Sequence, residues 1–291
     1  MNWRICLLLW VVLAPVAAAQ DTPLSQVLAP NEWWHVRLAG GVPLVLASGA
    51  NGSIFAGNTV TGRVTWLEPD DPLTTHAREG GLKSVATLPG RAFLVSRGEK
   101  PALIKVTASG DEFVVVDGFA PDALIVAPSG RIYATIAGES AIYVIESNGK
   151  KRRFACQIAR PTCLALWLDG STVVVGDGAG KNLWAFRIEA DGSLAAGERY
   201  YTMRTRPGEA SEVSSLAIDV KGRLFAATRE GIQVFDPTGR LSGIITVPGQ
   251  TRVQTIAIGG PNGDRFYAVT DKFVYYRKLI TRGAAGTVGN P

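Results

Sequence analysis

Residues 214–236 read SSLAIDVKGRLFAATREGIQVFD. An apolar run, Ser214–Asp219, meets a tight turn at Lys221-Gly222. A second run, Arg223–Thr228, and a third, Gly231–Asp236, follow at once. Short runs rich in β-branched and aromatic residues, separated by turns that place glycine where φ is positive, read as a hairpin-linked sheet. Working outward, the same turn recurs at Asn51-Gly52, Pro89-Gly90, Ser129-Gly130, Asp169-Gly170 and Asn262-Gly263. Successive turn glycines are 38, 40, 40, 52 and 41 residues apart. A period near 40 with four short strands per unit predicts an all-β fold, a six-bladed β-propeller.

The predicted inner strands are Pro43–Ser48, Ser84–Leu88, Asp122–Ala127, Thr162–Leu168, Ser214–Asp219 and Thr255–Ile258. They are nearly continuous in apolar residues, as expected of strands packed on both faces. The third strands place Trp66, Tyr143, Trp184 and Phe235 at equivalent positions, which predicts packing between blades. Outer strands such as Glu112–Asp117 and Gly243–Val247 are more polar. The last unit ends after three strands near Leu279. The lone strand Glu32–Leu38, with Trp33 and Trp34, is expected to supply its fourth and close the ring. The long interval predicts an insertion over Glu198–Glu212 between blades four and five, on the face where inner strands begin. The Gly- and Ala-rich tail Gly283–Pro291 is expected to be mobile.

Met1–Arg4 carries a positive charge. An apolar run of 12 residues, Ile5–Val16, then precedes Ala17-Ala18-Ala19. This pattern predicts a secretory leader over residues 1–19 and an exported, periplasmic or secreted chain, with the propeller over 20–282. The run is too short to span a membrane, which takes about 20 residues. With 46% apolar residues the chain can bury a large core. Net charge is +5, and +4 without Arg4, the leader's only charge. Lys150-Lys151-Arg152-Arg153 fits a solvated sheet edge. No aromatic stacks beside it, so no nucleic-acid partner is expected. Cys156 and Cys163 either bridge or remain two buried thiols. Gly176-Asp177-Gly178-Ala179-Gly180 opens no helix and predicts a hairpin rather than a phosphate loop.

The stretch SSLAIDVKGRLFAATREGIQVFDPTGRLSGIITVPG from Ser214, with TIAIGGPNGDRFYAVT from Thr255, resembles the senescence-marker-protein/gluconolactonase/luciferin-regenerating-enzyme (regucalcin-like) family. TCLALWLDGSTVVVGDGAGKNLWAFRIEADGSL from Thr162 is similar to that family's fourth blade. The resemblance implies six blades and, in several members, hydrolysis of lactones or esters. That chemistry uses one calcium or zinc ion, held at the channel mouth by a Glu, an Asn and an Asp. Here Ser214 stands at the Asp position and Thr162 at the Asn position. The Glu position falls on or near Leu44, with no acid from Ala39 to Gly57. The family's substrate-contacting Asn-Asp pair aligns with Asp122-Ala123.

Hydroxyls are poor substitutes for carboxylates toward a hard dication. The expectation is therefore no metal and no cofactor, and a mouth lined by Ser84, Asp122, Thr162, Ser214 and Thr255, with Gln254 beside them. Such a mouth suits a small polar ligand or a protein partner. A hydrolase of lactones or related esters with a rearranged metal site is the alternative. A serine nucleophile would need a base. The two histidines, His35 in the closing strand and His76 near Glu68, Asp70 and Asp71, offer no such pairing. Asp122 is the best candidate for a functional carboxylate.

Overall fold

The computed structural model describes residues 24–39, 41, 44–49, 52–67, 81–195 and 197–284. The leader, His76 with its neighbouring acids, Asn51 and most of the tail lie outside these residues.

The chain opens with β1 (His35–Ala39) and then builds six blades. Blade one holds β2 (Leu44–Ser48), β3 (Ile54–Asn58) and β4 (Val64–Trp66). Blade two holds β5 (Leu82–Thr87), β6 (Phe93–Arg97), β7 (Ala102–Val106) and β8 (Glu112–Asp117). Blade three holds β9 (Ala123–Val126), β10 (Ile132–Thr135), β11 (Ala141–Ile145) and β12 (Lys151–Ala155). Blade four holds β13 (Pro161–Leu166), β14 (Thr172–Asp177), β15 (Asn182–Arg187) and β16 (Glu198–Thr202). Blade five holds β17 (Ser215–Ile218), β18 (Leu224–Thr228), β19 (Gly231–Phe235) and β20 (Leu241–Ile245). Blade six holds β21 (Thr255–Gly259), β22 (Arg265–Val269) and β23 (Phe273–Lys278). Every pairing is antiparallel between neighbours in sequence except one: β1 joins β23, with His35 opposite Tyr276.

The six predicted turn glycines all have positive φ, from 68° at Gly170 to 79° at Gly52 and Gly130. Gly52 shows a second constraint. Its carbonyl accepts a bond from Gly260 N at 2.7 Å, and a Cβ at Gly52 or Gly259 would overlap the facing backbone. Blades one and six therefore meet through bare backbone.

The core divides into six clusters, one per blade interface. Phe55 and Phe93 join blades one and two, and Leu103 and Ile132 blades two and three. Tyr133 and Val173 join blades three and four, and Tyr201 and Phe235 blades four and five. Phe225 and Phe266 join blades five and six. Ile54 and Tyr267 close the circle between blades one and six. Of the third-strand aromatics, Tyr143, Trp184 and Phe235 belong to these interfaces, Phe235 lying 5.1 Å from Tyr201, whereas Trp66 stacks 5.9 Å from Phe55 within blade one.

The closing segment is fastened at several points. Trp34 donates its indole N–H to Thr246 O at 2.8 Å and packs 6.0 Å from Phe266, while Trp33 is exposed. Leu28 bridges to Leu279, and Ile280 N donates to Val27 O. Below them lies a buried ion pair. Arg223 Nε donates to Asp219 Oδ2 at 2.6 Å, Thr281 Oγ1 donates to the same oxygen, and Arg223 NH1 reaches Gln26 O. Gly283 and Ala284, the first tail residues, donate backbone bonds to Gly263 O and Ile218 O.

The insertion differs from the sequence reading. Glu198–Thr202 is β16, the ordinary outer strand of blade four. The extra length sits on either side of it. The β15–β16 connection spans 188–197, against 146–150 in blade three, and the β16–β17 connection spans 203–214, against 156–160. The first of these extensions is tied to blade three by Arg152, which bonds Asp191 O at 2.7 Å and Glu146 Oε1 at 2.8 Å. Arg152 and Arg153 in the basic run are thus paired with acids. Among the described residues no helix is long and apolar enough to cross a membrane.

Replacing Asp219 by Ala strands a buried arginine and should cost about 3–5 kcal/mol, read as a lowered urea midpoint. Val220→Ala, at a side chain 50% exposed, should leave the midpoint in place.

Candidate functional site

The inner strands all start on one face of the propeller, so the residues just ahead of them ring the channel mouth. Backbone bonds fix which residues are equivalent. Asp122 N donates to Thr135 O, Ser214 N to Ala227 O and Gln254 N to Val269 O. Gln254 therefore stands level with Asp122 and Ser214. Thr255 lies one step inside, its hydroxyl 3.3 Å from Ser215 Oγ. In blade two a register shift between Leu82 and Ser84 carries Lys83 to the ring position and Ser84 one step inside. A matching shift between Pro161 and Cys163 keeps Thr162 in the ring. The ring thus reads Lys83, Asp122, Thr162, Ser214 and Gln254. In blade one Leu44 already pairs with Asn58 inside the sheet, and residue 43 lies outside the described residues.

Sequence reasoning missed Lys83, because a bulge moves the register by one residue without changing the apolar pattern. The available signal was the interval of 38 on reaching this blade's turn, the shortest of the five.

The hydroxyls are already engaged. Ser84 Oγ donates to Pro121 O at 2.7 Å, Thr162 Oγ1 to Val213 O at 2.6 Å and Ser214 Oγ to Val253 O at 3.0 Å. Each acceptor is the residue just ahead of the ring position in the next blade. A hydroxyl has one proton, and here it fastens one blade to its neighbour. Asp122 has no proton to give and is fixed differently. Its Oδ2 accepts from Ala137 N at 2.6 Å, and its Oδ1 lies 3.2 Å from Lys83 Nζ.

A divalent cation fits this ring poorly. Oxygen ligands with negative charge provide most of the affinity for such an ion. The ring offers one carboxylate, already beside an ammonium, and neutral hydroxyls whose protons are given to carbonyls. No group of three or more His, Cys, Asp or Glu among the described residues could hold a metal ion. Outside the ring, Asp177 ends β14 and accepts from Arg160 N and Ala179 N, shaping the hairpin over Asp177–Gly180. His35 stacks on Tyr276 at 5.2 Å, far from the mouth in the outer strand of blade six.

Deeper in the channel the inner strands enclose about 200 Å³, lined by side chains such as Leu46, Ile125, Leu166, Leu216 and Ile256. Ala284 closes part of this space from the turn face. Ser48, Thr87 and Ser215 place hydroxyls among these apolar side chains.

Both cysteines are free. Cys163 begins the buried part of β13, where burial pushes its thiol up to about 12. Burial also raises the half-buried Cys156 thiol.

Two outcomes follow. Thr162→Val, which removes the proton but keeps the shape, should cost about 1–2 kcal/mol of unfolding free energy. For Cys163, folding raises the pKa from an unfolded value of about 8.5. Its contribution is fully present below that pH and is lost as pH rises toward the folded value of about 12. A Cys163→Ala variant should flatten the alkaline limb of the pH–stability curve.

Comparison with known proteins agrees with this architecture. The model of the SMP-30/Gluconolactonase/LRE-like region matches residues 50–272. A gluconolactonase from Zymomonas mobilis subsp. mobilis is 25% identical over 201 residues, covering 60% of this chain and 56% of the relative. The aligned region thus spans little more than half the length of that curated relative. Two solved structures share the fold. A gluconolactonase from Xanthomonas campestris has a TM-score of 0.73 and 18% identity, covering 88% of this chain and 92% of its own. The calcium-binding protein regucalcin from Agrobacterium tumefaciens has a TM-score of 0.68 and 16% identity, covering 87% and 95%. The repeated blade, the closed ring and this match over most of the sequence place the chain in the SMP-30/gluconolactonase/LRE-like family.

Proposed function

We propose that the chain is an exported member of its family that has given up divalent-metal hydrolysis and works as a binding or interaction protein for a small polar ligand or a protein partner. One observation carries this reading: the Lys83–Asp122 pair sits in the ring where the family's chemistry gathers negative charge. An ammonium 3.2 Å from the ring's carboxylate neutralises it and repels a second cation. The hydroxyls at Thr162 and Ser214 are neutral and add no negative charge to offset this. Without a metal, neither water activation nor stabilisation of a developing oxyanion has a source in this ring. A polar ligand at the mouth would meet the exchangeable Lys83–Asp122 pair first, both partly exposed. Export rests on the leader-like residues 1–19.

The second reading, a metal-dependent hydrolase of lactones or related esters with a rearranged site, draws on the gluconolactonase relative. Elemental analysis of the purified protein and thermal melts with calcium or zinc separate the two. A dication present at a hundred times its dissociation constant adds about 2.7 kcal/mol. The expected result is no stoichiometric metal and no rise in melting temperature. Bound metal, or lactone hydrolysis abolished by EDTA, would establish the hydrolase instead.

A further inference from the structure

Blade four carries a cavity of about 570 Å³ on the side of its sheet that faces blade five. It lies toward the turn face, at the other end of the blade from Thr162 and the mouth. Its origin is a bulge. Leu183 pairs with Tyr201 and Trp184 with Arg199, which leaves Tyr200 without a ladder partner and re-aims its side chain. Tyr201 is buried against Phe235, but Tyr200 remains 48% exposed. Tyr200 meets Trp167 with centroids 6.2 Å apart and planes at 83°. Tyr200 also packs edge-on against Tyr201, with centroids 4.6 Å apart, and still leaves about half its surface to solvent.

The cavity floor is aliphatic, with Val174 and Ala185. Its polar groups are of both kinds. Asp169 and Glu198 offer carboxylates, Thr172 a hydroxyl and Arg187 a guanidinium. The Glu198 carboxylate makes no hydrogen bond or ion pair among the described residues, although its backbone pairs with Ala185. Asp169 is oriented by Ser171, whose N–H and hydroxyl both donate to Oδ1, at 2.9 and 2.8 Å. Arg187 is steadied by Glu189 at 2.7 Å.

We propose that this cavity is a saccharide-binding site, with the exposed Tyr200 ring, held edge to face by Trp167, receiving the apolar face of a sugar ring and Asp169, Glu198 and Arg187 reading its hydroxyls. A cation would meet Arg187, and an anion would meet two carboxylates. A purely apolar ligand would desolvate all three charges. A neutral polyhydroxylated ring avoids these conflicts, because each hydroxyl both donates and accepts while the C–H face covers aromatic surface. The volume lies within the range of small-molecule pockets. The site is independent of the mouth, so its failure would leave the reading of the mouth unchanged.

Isothermal titration of the full chain with maltose and with cellobiose tests the assignment, with tetramethylammonium chloride as a third probe. The expected result is millimolar binding of at least one sugar, weakened about tenfold or more by Tyr200→Ala and by Glu198→Gln, with the melting temperature unchanged. Absence of binding by both sugars, sugar binding that neither variant weakens, or binding of tetramethylammonium in place of sugar would each overturn it.

Discussion

Closure of the ring is the constraint from which the rest of this structure follows. Each blade buries both faces against its neighbours, so no blade has a complete core alone. The six clusters form one circuit, and the Ile54–Tyr267 cluster between blades one and six closes it. That interface joins the first blade to the last, and the sixth sheet is completed by β1 from the other end of the chain. The cost of bringing distant segments together is met by concentrating contacts at the seam: Trp34 on Thr246, Leu28 on Leu279, and the Asp219–Arg223 pair that engages both Gln26 and Thr281.

The same constraint shapes the mouth. A propeller must hold its inner strands at fixed spacing, and in this chain hydroxyls do part of that work. Ser84, Thr162 and Ser214 reach across to carbonyls of the following blade. A carboxylate in those positions would face a carbonyl oxygen and be repelled. Residues that bind a dication and residues that fasten blades by donating protons are therefore alternatives at the same positions. This chain has taken the second, and its remaining carboxylate, Asp122, is balanced by Lys83.

The turn glycines and the inner strands were legible because each rests on a local signal repeated six times, and the closing strand because the last unit ends one strand short. The failures share a cause. Lys83 stands in the ring and Ser84 one step inside because a bulge shifts register without altering hydrophobicity, and Gln254, one residue ahead of Thr255, stands level with Asp122. The insertion was assigned to one loop because the interval between turns gives only its total length. Blade four divides that length around β16, and only the pairing of Glu198–Thr202 with β15 reveals the division. The cavity at Trp167 and Tyr200 was equally hidden, since Trp167 follows β13 and Tyr200 lies in β16, and the two meet only through the folded sheet.

Periodicity alone therefore determined the number of blades, the order of strands and the positions where glycine is required, because each depends on neighbours in the chain. The resemblance placed Ser214, Thr162 and Leu44 at the positions where the family's metal ligands are expected. Only the tertiary structure decided which residue stands in the ring, and that the hydroxyls point at carbonyls rather than into the channel. The reason is geometric: register between strands and contact between blades are set by pairing across the fold, and a one-residue shift reverses which face a side chain occupies.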